Sequence, residues 1–194
     1  MANEQSKRMY CPSCGQDVET FVMLQDGDER HFCFLCSSHI SETAPQEPMK
    51  ALDTILIADD SAVFREVLKD KLSEKKVARN VMLSGNGEEF LTLFTNRLYK
   101  KEPVSFVILD IRMPVFNGVN AAMAMRGVEK GFELERRVPI LFFSTVVCDD
   151  TLREVLKYCA PARYINKGVS SSPDELAQRL YEVICRLIQD SARK

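Results

Sequence analysis

Four of the five short apolar runs after residue 50 are followed by a side chain that could do chemistry. Asp59 and Asp60 follow the first run, Asp110 the third, Ser144 the fourth and Lys167 the fifth. Any one of them alone is more typical of a helix N-cap or an exposed charge. Because the carboxyl ends of parallel strands meet at one edge of a sheet, their recurrence at successive strand ends predicts a shared site.

The chemistry predicted for this site follows from its three carboxylates. Carboxylates that converge on a partly buried crevice repel one another, which raises their pKa values. A divalent cation relieves the repulsion, and Mg²⁺ takes one or two carboxylates together with water and a phosphoryl oxygen. One aspartate then stays available as a nucleophile, while Lys167 would neutralise another phosphoryl oxygen and Ser144 would donate a hydrogen bond.

The elements that must position these residues are predicted from hydrophobic periodicity. β-Branched runs predict strands over residues 54–58, 77–83, 104–109, 138–143 and 163–166. Amphipathic stretches predict helices over residues 61–75, 87–100, 118–130, 149–159 and 173–190. Five strand–helix units predict an α/β fold with a parallel sheet covered on both faces. Both histidines precede residue 40, which excludes a catalytic histidine from these units.

Residues 53–190 resemble a response-regulator receiver domain of two-component signalling. The resemblance is carried by five motifs: ILIADDS (55–61), NGEEFL (86–91), LDIRMPVFNG (109–118), PILFFST (139–145) and YINK (164–167). It implies a flavodoxin-like, doubly wound sheet of five parallel strands in the order 2-1-3-4-5. It does not extend to residues 1–50.

The resemblance also implies roles for individual residues. Asp110 would accept a phosphoryl group from a histidine kinase. Asp60 and Asp110, with the backbone carbonyl of Arg112, would hold Mg²⁺, and Asp59 would contribute through water. Such a protein is a phosphoacceptor rather than an enzyme, with at most self-phosphorylation and autodephosphorylation.

Near the fourth and fifth strands, the resemblance implies a pair of switch residues, and the sequence differs from the family at one position. Ser144 and Tyr164 match the family's switch pair, in which the hydroxyl moves toward the phosphoryl group and the aromatic ring turns inward. Gly168 stands where the family usually has proline after the lysine. Because a cis peptide bond before glycine costs about 2.5–4 kcal/mol, we expect a trans Lys167–Gly168 bond.

Four of the seven cysteines form two Cys-x-x-Cys pairs near the start of the chain. Cys11 and Cys14 in CPSC, and Cys33 and Cys36 in CFLC, have the spacing of a structural four-thiolate zinc site. Short strands over residues 20–24 and 30–34 are predicted between the pairs. A segment of this length buries too small a core to fold alone. Zinc binding would therefore stabilise it as a zinc ribbon. Redox-active or incidental thiols, or ligation by His31 or His39, are the alternatives.

Composition divides the chain and limits its partners. Residues 41–50, SETAPQEPMK, have linker composition, which separates a zinc-ribbon-like domain (1–40) from a receiver domain (51–194). The net charge of −2, and an excess of acidic residues in the ribbon, argue against a nucleic-acid partner. No apolar run is long enough for a membrane span, and the first residues do not resemble a signal peptide, so we expect a cytoplasmic protein with no membrane insertion.

The function expected from these features is a phosphorylation-switched signalling protein. With no separate output domain after the fifth helix, it would act by contact with an unidentified protein target, as chemotaxis and motility regulators do. Two other hypotheses stay open: a phosphorylation-independent scaffold with the receiver fold, and a nucleic-acid-binding regulator that acts through the zinc ribbon.

Overall fold

The computed structural model describes residues 7–11, 16–25, 28–35, 39–40, 51–167 and 172–192. These residues form a small antiparallel sheet near the start of the chain and a larger parallel sheet after residue 50. The described helices include none with both the length and the apolar character that a membrane span requires.

The small sheet has four strands in sequential order: β1 (Arg8–Cys11), β2 (Gln16–Gln25), β3 (Asp28–Cys33) and β4 (His39–Ile40). The two strands predicted over residues 20–24 and 30–34 are present as β2 and β3, which pair from Thr20 opposite Cys33 to Gln25 opposite Asp28. Strands β1 and β4 were not predicted, because at four and two residues they are too short to show a strand pattern. Their pairing with β2 and β3 completes the sheet.

The core of the small sheet is minimal. Among the residues that the structure describes, four buried side chains form it, with Met9 packed against them: Cys11, Val18, Cys33 and Ile40. Such a small apolar cluster buries too little surface to offset the conformational entropy lost on folding. The described part of the segment therefore has little apolar burial of its own to stabilise it.

The large sheet has five parallel strands in the order β6-β5-β7-β8-β9, which is the predicted order 2-1-3-4-5. Its elements alternate strictly: β5 (Leu52–Ala58), α1 (Ala62–Glu74), β6 (Ala78–Ser84), α2 (Gly87–Tyr99), β7 (Phe106–Leu109), α3 (Gly118–Gly131), β8 (Ile140–Ser144), α4 (Asp150–Tyr158), β9 (Ala162–Asn166) and α5 (Pro173–Ala192). The predicted α/β fold is confirmed, and each boundary lies within two residues of its prediction.

Two apolar cores lie on the two faces of this sheet. Alternate residues of β5 enter different cores, Leu56 with Phe90 and Phe94 of α2, and Ile57 with Leu68 of α1. Helices α2, α3 and α4 cover one face, and α1 and α5 cover the other. Burial on both faces explains why the strands are almost continuously apolar.

A buried ion pair ties α3 to the amino-terminal edge of the sheet. Arg126 Nη1 lies 2.7 Å from Glu129 Oε2, and both side chains are almost fully buried. Arg126 Nε and Nη2 donate to the carbonyl of Cys159, the C-cap of α4, at 3.0 and 2.7 Å. Glu129 Oε1 accepts the Val138 N–H at 2.7 Å. That bond takes Val138 out of the ladder, so β8 begins at Ile140 rather than at 138 as predicted.

Arg126→Met should lower the free energy of unfolding by roughly 3–5 kcal/mol, because it leaves the Glu129 carboxylate buried without a cation. Adding Glu129→Gln, which removes this charge and keeps an acceptor for Val138, should recover part of the loss. Urea denaturation measures both effects. Arg79→Met is the matched control, since the Arg79–Asp53 pair is exposed and should contribute about 1 kcal/mol or less. Equal losses for Arg126→Met and Arg79→Met would contradict the prediction.

Candidate functional site

The candidate residues lie together at the carboxyl edge of the large sheet. Backbone N–H groups there donate to the carbonyls of neighbouring strands: Asp59 to Ser84 (3.2 Å), Asp110 to Ala58 (2.8 Å) and Lys167 to Ser144 (2.9 Å). These bonds continue the sheet ladder beyond the strands, so each site residue starts from a fixed backbone position.

Lys167 bridges two buried carboxylates. Its Nζ lies 2.6 Å from Asp59 Oδ2 and also contacts Asp110 Oδ2, and both aspartates are at most 5% exposed. Burial raises the pKa of Asp59, against the opposing pull of the Lys167 ammonium. Burial alone would lower the pKa of Lys167, but the attraction of the two carboxylates outweighs it and raises that pKa. The ammonium also lies over the rings of Phe64 and Phe143, at 5.3 and 5.6 Å from their centroids.

A third carboxylate completes an acidic cluster. Asp60 is exposed, and one oxygen from each of Asp59, Asp60 and Asp110 lies within 4.8 Å of the others. Asp110 Oδ1 accepts the backbone N–H of Arg112 at 2.9 Å, which places the Arg112 backbone beside the cluster. Three hard oxygen donors at this separation, with a single lysine among them, fit a small divalent cation such as Mg²⁺.

Ser144 and Tyr164 lie next to each other beside this cluster. Ser144 is fully buried, and its Oγ has no hydrogen-bond partner in the part of the chain that the structure describes. The Tyr164 ring is buried, and its hydroxyl donates to Val146 O and lies 3.3 Å from Ser144 O. Asn166 Nδ2 donates to the tyrosine hydroxyl at 2.9 Å. No role is predicted for Asn166 from the sequence, although this residue stands within the YINK motif.

An open cavity of about 700 Å³ adjoins the acidic cluster at Asp60. Asp60 and Arg112 line it on one side, together with Asn117 at the start of α3 and Val146 after β8.

Comparison with known families identifies the part of the chain that carries the large sheet. A family model described as the response regulator receiver domain matches residues 55–181. The chain belongs to this family. The resemblance seen in the sequence motifs is thereby confirmed, while residues 1–50 lie outside the match.

Individual relatives agree with the receiver assignment. The probable transcriptional regulator ycf27 of Porphyra purpurea is 32% identical over 136 residues, which cover 69% of this chain and 48% of that protein. This chain spans about half the length of the curated regulators that it matches.

Solved structures agree on the fold. The phosphorylated cyanobacterial phytochrome response regulator RcpA superposes with a TM-score of 0.57 at 17% identity, covering 73% of this chain and 96% of that one. The receiver domain of the histidine kinase CKI1 from Arabidopsis thaliana, complexed with Mg²⁺ and BeF₃⁻, has a TM-score of 0.53 at 24% identity, covering 68% and 89%.

The cysteines predicted to bind zinc are only partly described. Cys11 and Cys33 are fully buried and end β1 and β3, which both run antiparallel to β2 and so end at the same edge of the small sheet. Cys14 and Cys36 lie outside the described residues, as does Gly168 with its peptide bond. His31 Nδ1 lies 3.3 Å from Thr20 Oγ1, which gives this ring a partner within the sheet.

The receiver loop between Asp110 and α3 is unusually close-packed. A Cβ at Gly118 would lie 1.9 Å from the Asp110 carbonyl oxygen, so only glycine fits there. Within the same loop Val115 has a φ of 65°, although its branched side chain is 79% exposed. A β-branched residue in the left-handed region is strained. The loop therefore positions Asp110 at some cost in stability.

Val115→Asn should raise the free energy of unfolding by about 1 kcal/mol, because asparagine tolerates a conformation that costs a branched side chain roughly 1–2 kcal/mol. Urea denaturation is the measurement. Val147→Asn makes the same change at another exposed valine, outside the left-handed region, and should shift stability by about 0.5 kcal/mol or less. If Val115→Asn is no more stabilising than Val147→Asn, Val115 carries no such strain.

Proposed function

We propose that this protein is a phosphorylation-switched signalling protein whose Asp110 accepts a phosphoryl group from a histidine kinase. One observation carries the proposal. The buried Asp110 carboxylate has one oxygen on the Arg112 N–H and the other on Lys167, beside the carboxylates of Asp59 and Asp60. Membership of the receiver family supports the phosphoacceptor role.

The acidic cluster would hold Mg²⁺ through Asp60, Asp110 and the Arg112 carbonyl, with Asp59 acting through water. When bound, the metal would offset the negative charge shared by the carboxylates and the phosphoryl group. The fit rests on three carboxylate oxygens within 4.8 Å of one another.

Asp110 would act as the nucleophile. One of its carboxylate oxygens forms a bond to phosphorus while the bond from phosphorus to the donor histidine nitrogen breaks. Lys167 already contacts Asp110, so its ammonium is in place to pair with a negatively charged phosphoryl oxygen bound to that aspartate. The chain is then a phosphoacceptor whose own chemistry is limited to gaining and losing this group.

Ser144 and Tyr164 would report phosphorylation to a protein partner. The Ser144 hydroxyl is buried without a described partner, which leaves it available to donate to the phosphoryl group. Such a bond pulls on the end of β8 and on the loop whose Val146 carbonyl accepts from Tyr164. The contact surface for a target protein would change with these two residues.

A second proposal concerns the small sheet, where Cys11, Cys14, Cys33 and Cys36 would bind a structural zinc ion. Two of these thiols are buried at one edge of a sheet whose apolar core is minimal. The ribbon would fix the location or the partner of the receiver domain. Its surplus of acidic residues favours a protein partner over nucleic acid.

Asp110→Asn should abolish the mass increase of about 80 Da that one phosphoryl group adds on incubation with acetyl phosphate and Mg²⁺. Intact-protein mass spectrometry measures it. Asp70→Asn, which changes an exposed carboxylate on α1, is the matched control and should be labelled like the wild type. Full labelling of Asp110→Asn would refute the assignment, and an unlabelled wild type would favour the scaffold hypothesis.

Elemental analysis should find one zinc per chain in protein purified without chelator. Cys33→Ser leaves an incomplete tetrahedron, so it should lose the zinc and unfold the small sheet while the receiver domain stays folded. Cys148→Ser, which changes a cysteine of the receiver domain, should retain the metal. Zinc-free wild-type protein would show that the thiols have another role.

A further inference from the structure

Every polar group of Asp59 forms a hydrogen bond, and the partner of its backbone carbonyl is the Arg65 guanidinium. Arg65 Nη1 donates to Asp59 O at 2.5 Å. The Asp59 N–H donates to Ser84, and its two carboxylate oxygens accept from the Ser61 N–H at 2.9 Å and from Lys167 at 2.6 Å. These hydrogen bonds fix the start of the loop that follows β5 to α1, β6 and Lys167.

Asp60 stands between two peptide groups that this network fixes. The peptide before it is held through the Asp59 carbonyl by Arg65, and the peptide after it is held through the Ser61 N–H by the Asp59 carboxylate. The Asp60 carboxylate itself is exposed and makes no hydrogen bond or ion pair with the described part of the chain. The direction of this carboxylate therefore depends on its backbone.

Arg65 is itself held in place. It lies in the first turn of α1, where its N–H donates to Ser61 O at 3.0 Å. Its guanidinium lies against Gly85, where a Cβ would be 3.6 Å from Nη1. The Gly85 N–H is in turn fixed by Glu89 Oε2 at 2.7 Å. Arg65 therefore connects α1 to the loop after β6, across the acidic loop.

We propose that Arg65 is a positioning residue that orients Asp60 for the divalent cation, and so sets metal affinity rather than the rate of phosphoryl transfer. This inference rests on the proposed function. Arg65 has two opposing effects on a bound cation. Its hydrogen bond to Asp59 orders the loop, while its positive charge repels the metal. A charge-assisted bond inside a half-buried loop outweighs repulsion that solvent screens, so removing Arg65 weakens metal binding.

The first experiment needs no metal. Arg65→Met removes the donor, so the Ser61 amide should exchange its hydrogen roughly tenfold faster in the metal-free protein. Arg79→Met, the same substitution on a cation at the opposite edge of the sheet, should leave that rate unchanged. Arg65→Lys keeps a donor and the charge, and should restore slow exchange. An unchanged Ser61 rate in Arg65→Met would overturn the inference.

The second experiment measures metal affinity. In Arg65→Met the Mg²⁺ dissociation constant from calorimetry should rise roughly tenfold, and the rate of labelling by acetyl phosphate at saturating Mg²⁺ should stay within about twofold of wild type. Arg65→Lys should restore the affinity. Tighter Mg²⁺ binding in Arg65→Met would mean that charge repulsion dominates, and would overturn the inference. If wild-type protein binds Mg²⁺ but takes no phosphoryl group, the proposed function fails while calorimetry still decides the role of Arg65.

Discussion

Mutual repulsion among Asp59, Asp60 and Asp110 is the constraint around which the carboxyl edge of the large sheet is arranged. Asp59 and Asp110 follow neighbouring strands, so they cannot separate without shifting the register of β5 against β7. Lys167 must reach them from β9, with β8 lying between. The rings of Phe64 and Phe143 stack on each other with 5.2 Å between their centroids, and the Lys167 ammonium lies over both rings. One cation for three carboxylates leaves negative charge that favours a metal ion.

The same edge shows how a reactive site is kept at the expense of stability. Burial raises the pKa of the Asp59 carboxyl above its usual range. Ser144 keeps a buried hydroxyl without a described partner, and Val115 keeps a strained backbone. A protein selected only for stability would replace each of these features. Their concentration around one carboxylate, with a rigid sheet beneath, is typical of a functional site.

Much of the receiver fold could be predicted from the sequence, because each strand is a short apolar run followed by an amphipathic helix. The positions of the site residues followed from parallel topology, which brings strand ends together. Features that depend on the path of the chain in three dimensions could not be predicted. Arg126 and Glu129, three residues apart on α3, are typical of an exposed helical pair but are buried. Arg65 is an ordinary α1 cation in sequence, and only the folded loop brings it to Asp59. In the small sheet, β1 and β4 are too short for the alternation of apolar and polar residues that predicts strands.

The receiver domain and the small sheet are stabilised differently, and this difference bears on the two proposed metal ions. The receiver domain buries two apolar cores, so it folds without relying on its acidic cluster, and a metal there would serve chemistry. The small sheet has only a minimal core, so a metal there would serve folding. Ligand type keeps the two roles apart, since thiolates select zinc and carboxylates select magnesium. Signalling and structural metals can therefore coexist in one chain, because neither site offers the donors that the other ion prefers.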